Sequence, residues 1–200
     1  MKKVLVIGAG AQGGPCASIL AGEESVNEIR LGDIDLALDQ KVADKINSIK
    51  VELFKLDASD KEQVIKAADG VDVVINLTHL KFNDTIMSAA LAAETHYVDT
   101  ASTMPFLEDR FSGDEPKLHC EFMAIGKTAL AGCGFAPGIA NVLTRHACDQ
   151  IERVEKIIIR VGRKSATASG EVVSAWQPNY SKSIPLTIFG IIKNTINMDK

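Results

Sequence analysis

The chain has 200 residues, of which 46% are hydrophobic, and this is enough apolar surface for one packed domain or for one domain and part of a second. The formal net charge of −4 gives no electrostatic basis for binding nucleic acid or an anionic membrane. No apolar run approaches the length of a membrane span, and Met1-Lys2-Lys3 does not resemble a signal peptide. The scattered cysteines form no CxxC pair and no zinc spacing, so we expect reduced thiols, no metal site and a cytoplasmic location.

The stretch from residue 4 to residue 14 is the most informative part of the chain. Residues 4–7 are β-prone and apolar, which predicts a strand buried on both faces, and a Gly-x-Gly-x-x-Gly turn leads from it into a helical pattern. In such a turn the first glycine permits a tight bend, the second admits a pyrophosphate and the third lets the helix pack near the strand. We therefore predict phosphate binding at the start of the helix, by Gly8, Gly10, Ala11, Gln12 and Gly13. A glycine-rich turn without a ligand is the alternative.

A second predicted strand, at 28–33, ends on a carboxylate about twenty residues past the last of these glycines, where such motifs bind the adenosine ribose. The Asp33 carboxylate suits two ribose hydroxyls and repels a 2′-phosphate, and no arginine follows it, so we expect NAD rather than NADP. Ile34 and Ala58 are expected to flank the adenine. Helix capping is the alternative role of Asp33.

Strands and helices alternate along the rest of the chain. We predict strands at 51–56, 71–77, 96–99 and 128–131, and helices that begin at Asp35, at Ser59 or Asp60, and at Asn83. Two short helices are expected within 104–125. The alternation predicts an α/β fold, a doubly wound parallel sheet of the Rossmann type with helices on both faces.

The pattern changes after the predicted sixth strand. A helix is predicted at 139–149 with Val142, Leu143 and Ala147 facing inward, and a strand at 154–161. The periodic signal weakens past Gly162. We therefore expect a dinucleotide-binding domain at 1–135 and the incomplete start of an α+β substrate or dimerisation domain at 136–200.

Ligands of parallel sheets bind at the carboxyl ends of the strands, so these ends predict the lining of one cleft. Beyond the glycine turn, the predicted lining comprises Asp33, Ile34, Asp57, Ala58, Leu77, Thr78, His79 and Asp99. The glycine- and proline-rich turn at 132–138 is the candidate wall on the nicotinamide side, through Gly134, Phe135 and Pro137.

Three residues of this cleft are candidates for catalysis. His79 and Lys81 follow the fourth strand, where either could transfer a proton, and Lys81 could also bind a carboxylate. Asp99 could bind a substrate amine or orient a neighbouring group. Solvent-exposed loop roles for His79 and Lys81, and a structural hydrogen bond from Asp99 to the next loop, are the alternatives.

Three passages resemble the saccharopine dehydrogenase family, which includes lysine 6-dehydrogenases and carboxynorspermidine dehydrogenases. They are residues 8–13 (Gly-Ala-Gly-Ala-Gln-Gly), residues 74–77 (Val-Ile-Asn-Leu) leading to 95–99 (Thr-His-Tyr-Val-Asp), and residues 132–141 (Gly-Cys-Gly-Phe-Ala-Pro-Gly-Ile-Ala-Asn). The resemblance covers about residues 1–150. It implies reversible hydride transfer between a nicotinamide cofactor and a carbon–nitrogen bond of an amino acid or polyamine. We also expect a homodimer, and a non-catalytic dinucleotide-binding sensor is the alternative function.

Overall fold

The computed structural model describes residues 1–101 and 117–159, apart from the side chains of Leu38 and Asp39. In this part of the chain a parallel sheet has six strands, β1 Lys2–Ile7, β2 Val26–Asp33, β3 Val51–Lys55, β4 Val73–Asn76, β5 His96–Asp99 and β6 Ala129–Leu130. The helices of this part are α1 Gly13–Gly22, α2 Leu36–Ile46, α3 Lys61–Ala68, α4 Asn83–Ala92, α5 Lys117–Ala124 and α6 Ile139–Cys148. The chain divides into two compact units, Met1–Glu155 and Lys156–Lys200.

The strand order β3-β2-β1-β4-β5-β6 confirms the predicted doubly wound Rossmann-type sheet. From β1 the chain first builds outward through β2 to β3, and then returns to pair β4 with the other side of β1. The connections on either side of β1 therefore lie on opposite faces of the sheet. This change of direction opens a crevice at the carboxyl ends of β1 and β4, where such sheets bind ligands.

Two hydrophobic clusters cover the two faces of the sheet, and β1 contributes to both. Leu5 and Ile7 belong to the cluster that contains residues of α3 and α4, whereas Val4 and Val6 belong to the cluster that contains residues of α1 and α2. All four of these β1 side chains are buried. Because successive side chains of a strand point to opposite faces, only a continuous apolar run satisfies both clusters, as the sequence predicts.

Several predicted elements differ from the structure. The helix at 139–148 is confirmed, but its predicted inward face is wrong, since Val142 and Leu143 are 67% and 60% exposed. Periodicity identifies the apolar face of a helix and does not show whether another element covers it. The predicted strand at 154–161 is also wrong over residues 154–159, because residues 153–159 form no regular element. Residues 160–161 of this prediction lie outside the described residues.

The two helices predicted within 104–125 have different outcomes. The second is confirmed as α5, which buries Phe122, and the first lies outside the described residues. Among the helices of residues 1–101 and 117–159, none combines the length and the apolar character that a bilayer crossing requires.

The structure assigns the cap of α3 to Asp60 rather than Ser59. The Asp60 carboxylate accepts hydrogen bonds from the N–H groups of Glu62 at 3.0 Å and Gln63 at 3.1 Å. These two groups have no partner within the helix, so the cap supplies their acceptor. Asp60 thereby fixes the start of α3 directly after the loop at the carboxyl end of β3.

We predict that Asp60→Ala lowers the free energy of unfolding by about 1 kcal/mol, because two N–H groups at the helix start lose their acceptor. Asp60→Asn, which keeps an acceptor oxygen, is the matched control and should lose less than half of that. Urea denaturation of the three proteins measures the difference. Equal stability of the alanine variant and the parent chain would contradict the assignment.

Candidate nucleotide-binding site

The loop after β1 closes only if glycine occupies positions 8 and 13. A Cβ atom added to Gly13 would lie 1.6 Å from the carbonyl oxygen of Gly8, which no side chain can accommodate. Gly8 has a φ of +97°, and its N–H donates to the Gly32 carbonyl at 2.8 Å, which joins the loop to β2. The start of α1 is therefore held directly against the end of β1.

Gly10 differs from these two glycines because its surroundings are open. Apart from Gly10 and its two chain neighbours, the described residues place no heavy atom within 4 Å of a Cβ added at Gly10. The backbone N–H groups of residues 10–12 donate to no group in the described part of the chain, while the carbonyls of Gly10 and Gln12 already accept bonds from α1. Unpaired N–H groups at the positive end of a helix form an anion site, and the missing side chain leaves room for it. The loop thus fits the pyrophosphate of a dinucleotide.

Asp33 ends β2 and lies beside this loop. One carboxylate oxygen accepts a hydrogen bond from the Ala9 N–H at 2.8 Å, and the other accepts from the Asp35 N–H at 3.2 Å. A carboxylate has about four acceptor positions, so each oxygen keeps the capacity to accept a further hydroxyl donor. Asp33 therefore both orders the glycine loop and presents acceptors at its edge.

The next strand end, after β3, contributes Asp57 and Ala58. The Asp57 carboxylate accepts hydrogen bonds from the Ser59 hydroxyl at 2.7 Å and the Ser59 N–H at 2.9 Å, and these bonds hold the pKa of Asp57 below its usual value. Ala58 packs against the core on the α3 and α4 face, while Ile34 is 61% exposed at the end of β2. An exposed isoleucine beside Asp33 is an apolar surface of the kind on which a base can lie.

The end of β4 packs directly on the glycine loop. A Cβ atom on Gly8 would lie 3.0 Å from the Leu77 carbonyl oxygen and 3.2 Å from the Thr78 methyl carbon. The Leu77 N–H donates to the Ile7 carbonyl at 2.9 Å. Leu77 and Thr78 therefore form the side of the crevice that faces away from β2.

His79 caps a single turn of 3-10 helix, Leu80–Phe82, which contains Lys81. The Nδ1 atom of His79 accepts the Lys81 N–H at 3.2 Å. The Lys81 ammonium is exposed and lies 4.6 Å from the centre of the Phe82 ring. The structure thus places both predicted side chains on one short segment at the carboxyl edge of the sheet.

Asp99 lies under this edge rather than in the open crevice, since it is only 1% exposed. Its Oδ2 atom accepts hydrogen bonds from the Tyr97 hydroxyl at 2.9 Å and the Asn83 amide at 3.1 Å, and its Oδ1 atom accepts the Gly132 N–H at 2.7 Å. Burial raises the pKa of the Asp99 carboxyl, although hydrogen bonds from Gly132, Tyr97 and Ala101 favour its charged form. The predicted contact from Asp99 to the next loop is present, and a catalytic role for Asp99 stays a prediction.

Asn76, Asn83 and Tyr97 are members of this buried network that the sequence analysis did not identify. The Asn76 side-chain amide donates to the Asn83 side-chain oxygen at 2.9 Å and to the Tyr97 hydroxyl at 3.1 Å. Burial and the nearby Asp99 charge raise the pKa of Tyr97 well above its usual value, so its hydroxyl stays a donor. The sequence signal that could have identified the network is Asn76, a polar side chain at the end of the otherwise apolar strand β4.

The turn at 132–138 begins where Asp99 holds it. A Cβ atom on Gly134 would lie 2.5 Å from the Thr100 carbonyl oxygen, so the turn packs against the residues that follow β5. Gly138 has a φ of +128° and starts α6. Phe135 is 70% exposed at the tip of the turn, and Pro137 is half-buried. The turn that is predicted to form the wall is thus closely packed backbone at Gly134 with an exposed aromatic ring at Phe135.

The structure therefore places every predicted site residue on the carboxyl side of the sheet, with the glycine loop next to β4 and Asp99 buried beneath the surface. Among residues 1–101 and 117–159, no three His, Cys, Asp or Glu side chains are arranged to hold a metal ion. The chemistry that these residues can supply is anion binding by N–H groups, hydroxyl binding by carboxylates, and proton transfer at His79 or Lys81.

The sequence is similar to those of known proteins. The carboxyaminopropylagmatine dehydrogenase of Synechocystis sp. is 32% identical over 170 residues, which are 81% of this chain and 42% of that protein. The carboxynorspermidine synthase of Vibrio cholerae is 27% identical over 183 residues, which are 80% of this chain and 43% of that protein. The chain thus spans less than half the length of these curated relatives.

A solved structure and a family model agree with these relatives. Apo saccharopine dehydrogenase (L-Glu forming) from Saccharomyces cerevisiae superposes with a TM-score of 0.62 at 23% identity, covering 76% of this chain and 31% of that one, and this likeness supports the fold. The family model described as "Saccharopine dehydrogenase NADP binding domain" matches residues 4–129, which carry the glycine loop and the ends of β1 to β5. The chain therefore belongs to the saccharopine dehydrogenase family and contains its NAD(P)-binding domain.

Proposed function

We propose that this chain binds a nicotinamide dinucleotide across the carboxyl ends of β2, β1 and β4, as the cofactor-binding part of an oxidoreductase. The observation that carries the proposal is the loop at 8–13, where space at Gly10 that the described residues leave open adjoins N–H groups for which these residues provide no acceptor. Gly8, Gly10, Ala11, Gln12 and Gly13 would hold the pyrophosphate. Asp33, Ile34, Asp57 and Ala58 would hold the adenosine half, and Leu77, Thr78, Gly134, Phe135 and Pro137 the nicotinamide half.

The reaction we propose is hydride transfer to or from a carbon–nitrogen bond of a carboxylated polyamine or an amino acid. The names of the two relatives, which combine a carboxyl group with agmatine or norspermidine, support the polyamine class. When bound, the cofactor supplies the hydride acceptor or donor. The chain itself would exclude water with the 132–138 turn and move the accompanying proton at the amine nitrogen through His79, with Lys81 binding the carboxylate.

We further propose that residues 136–200 begin a substrate or dimerisation domain. The exposed apolar side chains of Val142 and Leu143 on α6 support this boundary, because an apolar helix face of this kind is normally covered. A homodimer and a cytoplasmic location belong to the same proposal.

We propose NAD as the preferred cofactor. The carboxylate of Asp33 stands at the end of β2 with acceptor capacity on both oxygens, and the next charged residue, Asp35, is also acidic. Two neighbouring negative charges favour ribose hydroxyls and disfavour a 2′-phosphate. The family description names NADP, so the preference needs its own test.

We predict that Gly10→Ala weakens NADH binding at least about tenfold without lowering the melting temperature, because the added methyl group enters the proposed phosphate space and lies more than 4 Å from every described residue except its chain neighbours. Gly22→Ala is the matched control, since Gly22 also has open space and lies at the far end of α1. NADH fluorescence titration and thermal unfolding of both variants measure the two effects. Unchanged NADH affinity in Gly10→Ala would contradict the site.

We predict that the parent chain binds NADH at least about tenfold more tightly than NADPH. In Asp33→Asn the ratio of the NADPH and NADH dissociation constants should fall by a similar factor. Asparagine keeps an acceptor for the Ala9 N–H, so the loop should stay ordered while the negative charge is lost. Titration of both proteins with both cofactors provides the comparison. Tighter binding of NADPH by the parent chain would overturn the NAD assignment and leave the dinucleotide site intact.

We predict that the protein reduces NAD in the presence of carboxynorspermidine, and that His79→Gln lowers kcat by about 10²-fold or more through loss of the proton acceptor. His119→Gln, at an exposed position on α5, is the matched control and should keep the parent rate. The absorbance of reduced nicotinamide measures turnover, with saccharopine as a comparison substrate. Turnover of either amine would exclude the non-catalytic sensor, and a parent-like kcat in His79→Gln would contradict the role of His79.

A further inference from the structure

A buried polar chain runs under the carboxyl edge of the sheet and connects the two loops on the nicotinamide side. It starts at Thr78, whose hydroxyl and N–H donate to the Asn76 side-chain oxygen at 2.6 Å and 3.0 Å. It continues from Asn76 to Asn83 at 2.9 Å and from Asn83 to Asp99 at 3.1 Å. It ends at the Gly132 N–H, 2.7 Å from Asp99.

This chain holds the segment of His79 and Lys81 at both of its ends. Thr78, immediately before the segment, is bonded to Asn76, and Asn83, immediately after it, is bonded to Asp99. Asn76, Asn83 and Asp99 are at most 3% exposed, so water does not compete for these hydrogen bonds. The segment in between is exposed or half-buried at the crevice.

The same carboxylate holds the start of the 132–138 turn. Asp99 accepts the Gly132 N–H through its side chain and the Cys133 N–H through its backbone carbonyl, both at 2.7 Å. Within this network, the Asp99 side chain therefore bonds both Asn83, where the His79 segment ends, and Gly132, where the 132–138 turn begins. The glycine loop is held by other groups, since the Ala9 N–H donates to Asp33 and the Gly8 N–H donates to the Gly32 carbonyl.

We propose that Asp99 is a positioning residue, which sets the spacing between the His79 segment and the 132–138 turn and so shapes the nicotinamide half of the site without touching the ligand. Tyr97 assists it, since its hydroxyl donates to Asp99 and accepts from Asn76. The inference rests on the proposed dinucleotide function. It predicts that removing the carboxylate damages binding of the nicotinamide half and spares binding of the adenosine half.

The test compares NADH with ADP-ribose, which carries the adenosine and pyrophosphate parts but no nicotinamide. Asp99→Asn replaces one acceptor oxygen by a donor, which then faces an N–H or O–H donor of the network. We expect NADH binding to weaken at least about tenfold and ADP-ribose binding to stay within about twofold. Tyr97→Phe, a milder change that removes one donor, should shift the same ratio by about threefold. Asp72→Asn is the matched control, because Asp72 bonds Lys2 and Lys3 at the amino edge of the sheet, and it should shift neither affinity.

The outcomes separate this inference from the function on which it rests. Equal weakening of both ligands in Asp99→Asn, or no weakening of either, would overturn the positioning role while the dinucleotide site stands. Thermal unfolding shows whether Asp99→Asn folds. If it does not fold, the ratio of NADH affinity to ADP-ribose affinity in Tyr97→Phe tests the positioning role in the same way. A parent chain that binds ADP-ribose as tightly as NADH would also overturn the inference. A parent chain that binds neither ligand would overturn the proposed function itself.

Discussion

The contact between Gly13 and the Gly8 carbonyl oxygen is the constraint on which the site depends. A side chain at position 13 would have to lie 1.6 Å from that oxygen, so the first helix can meet the first strand only where the chain has no Cβ. This contact brings the positive end of α1 to the crevice between β1 and β4. The open surroundings of Gly10 then leave the N–H groups of that helix end accessible to a phosphate.

From this contact the constraint extends to both sides of the sheet. Asp33 bonds the loop to the end of β2 on the adenosine side, while Leu77 and Thr78 pack against Gly8 on the other side. The hydrogen bonds of the buried network then connect Thr78 to Asp99 and to the turn that begins at Gly132. Two different physical devices therefore support the two halves of the site. The half proposed for adenosine would depend on close backbone packing and one partly exposed carboxylate, and the half proposed for nicotinamide on hydrogen bonds that water does not reach.

Local patterns predicted most of the fold and the positions of the strand ends that carry Asp33 and the glycine loop. The apolar run before the glycine turn, the spacing to Asp33 and the alternation of strands with helices are each visible within a few residues of sequence, and the sheet confirms them. The buried network could not be predicted in this way, because Asn76, Asn83 and Asp99 become neighbours only when parallel strands align their ends. The predicted inward face of α6 is wrong for a different reason. Periodicity shows that a helix face is apolar but not whether another element covers it.

The most direct test of this account is to follow backbone amide chemical shifts of the isotope-labelled chain while NADH is added. The account predicts the largest changes at residues 10–12, where the pyrophosphate is proposed to bind, and further changes at Thr78 and Gly134, which are proposed to line the nicotinamide half. A shallow notch at the opposite edge of the sheet, lined by Ile65, Lys66, Asp69, Ala92, Ala93 and Glu94, should show no change. Changes confined to that notch, with residues 10–12 unaffected, would contradict the placement of the dinucleotide at the glycine loop.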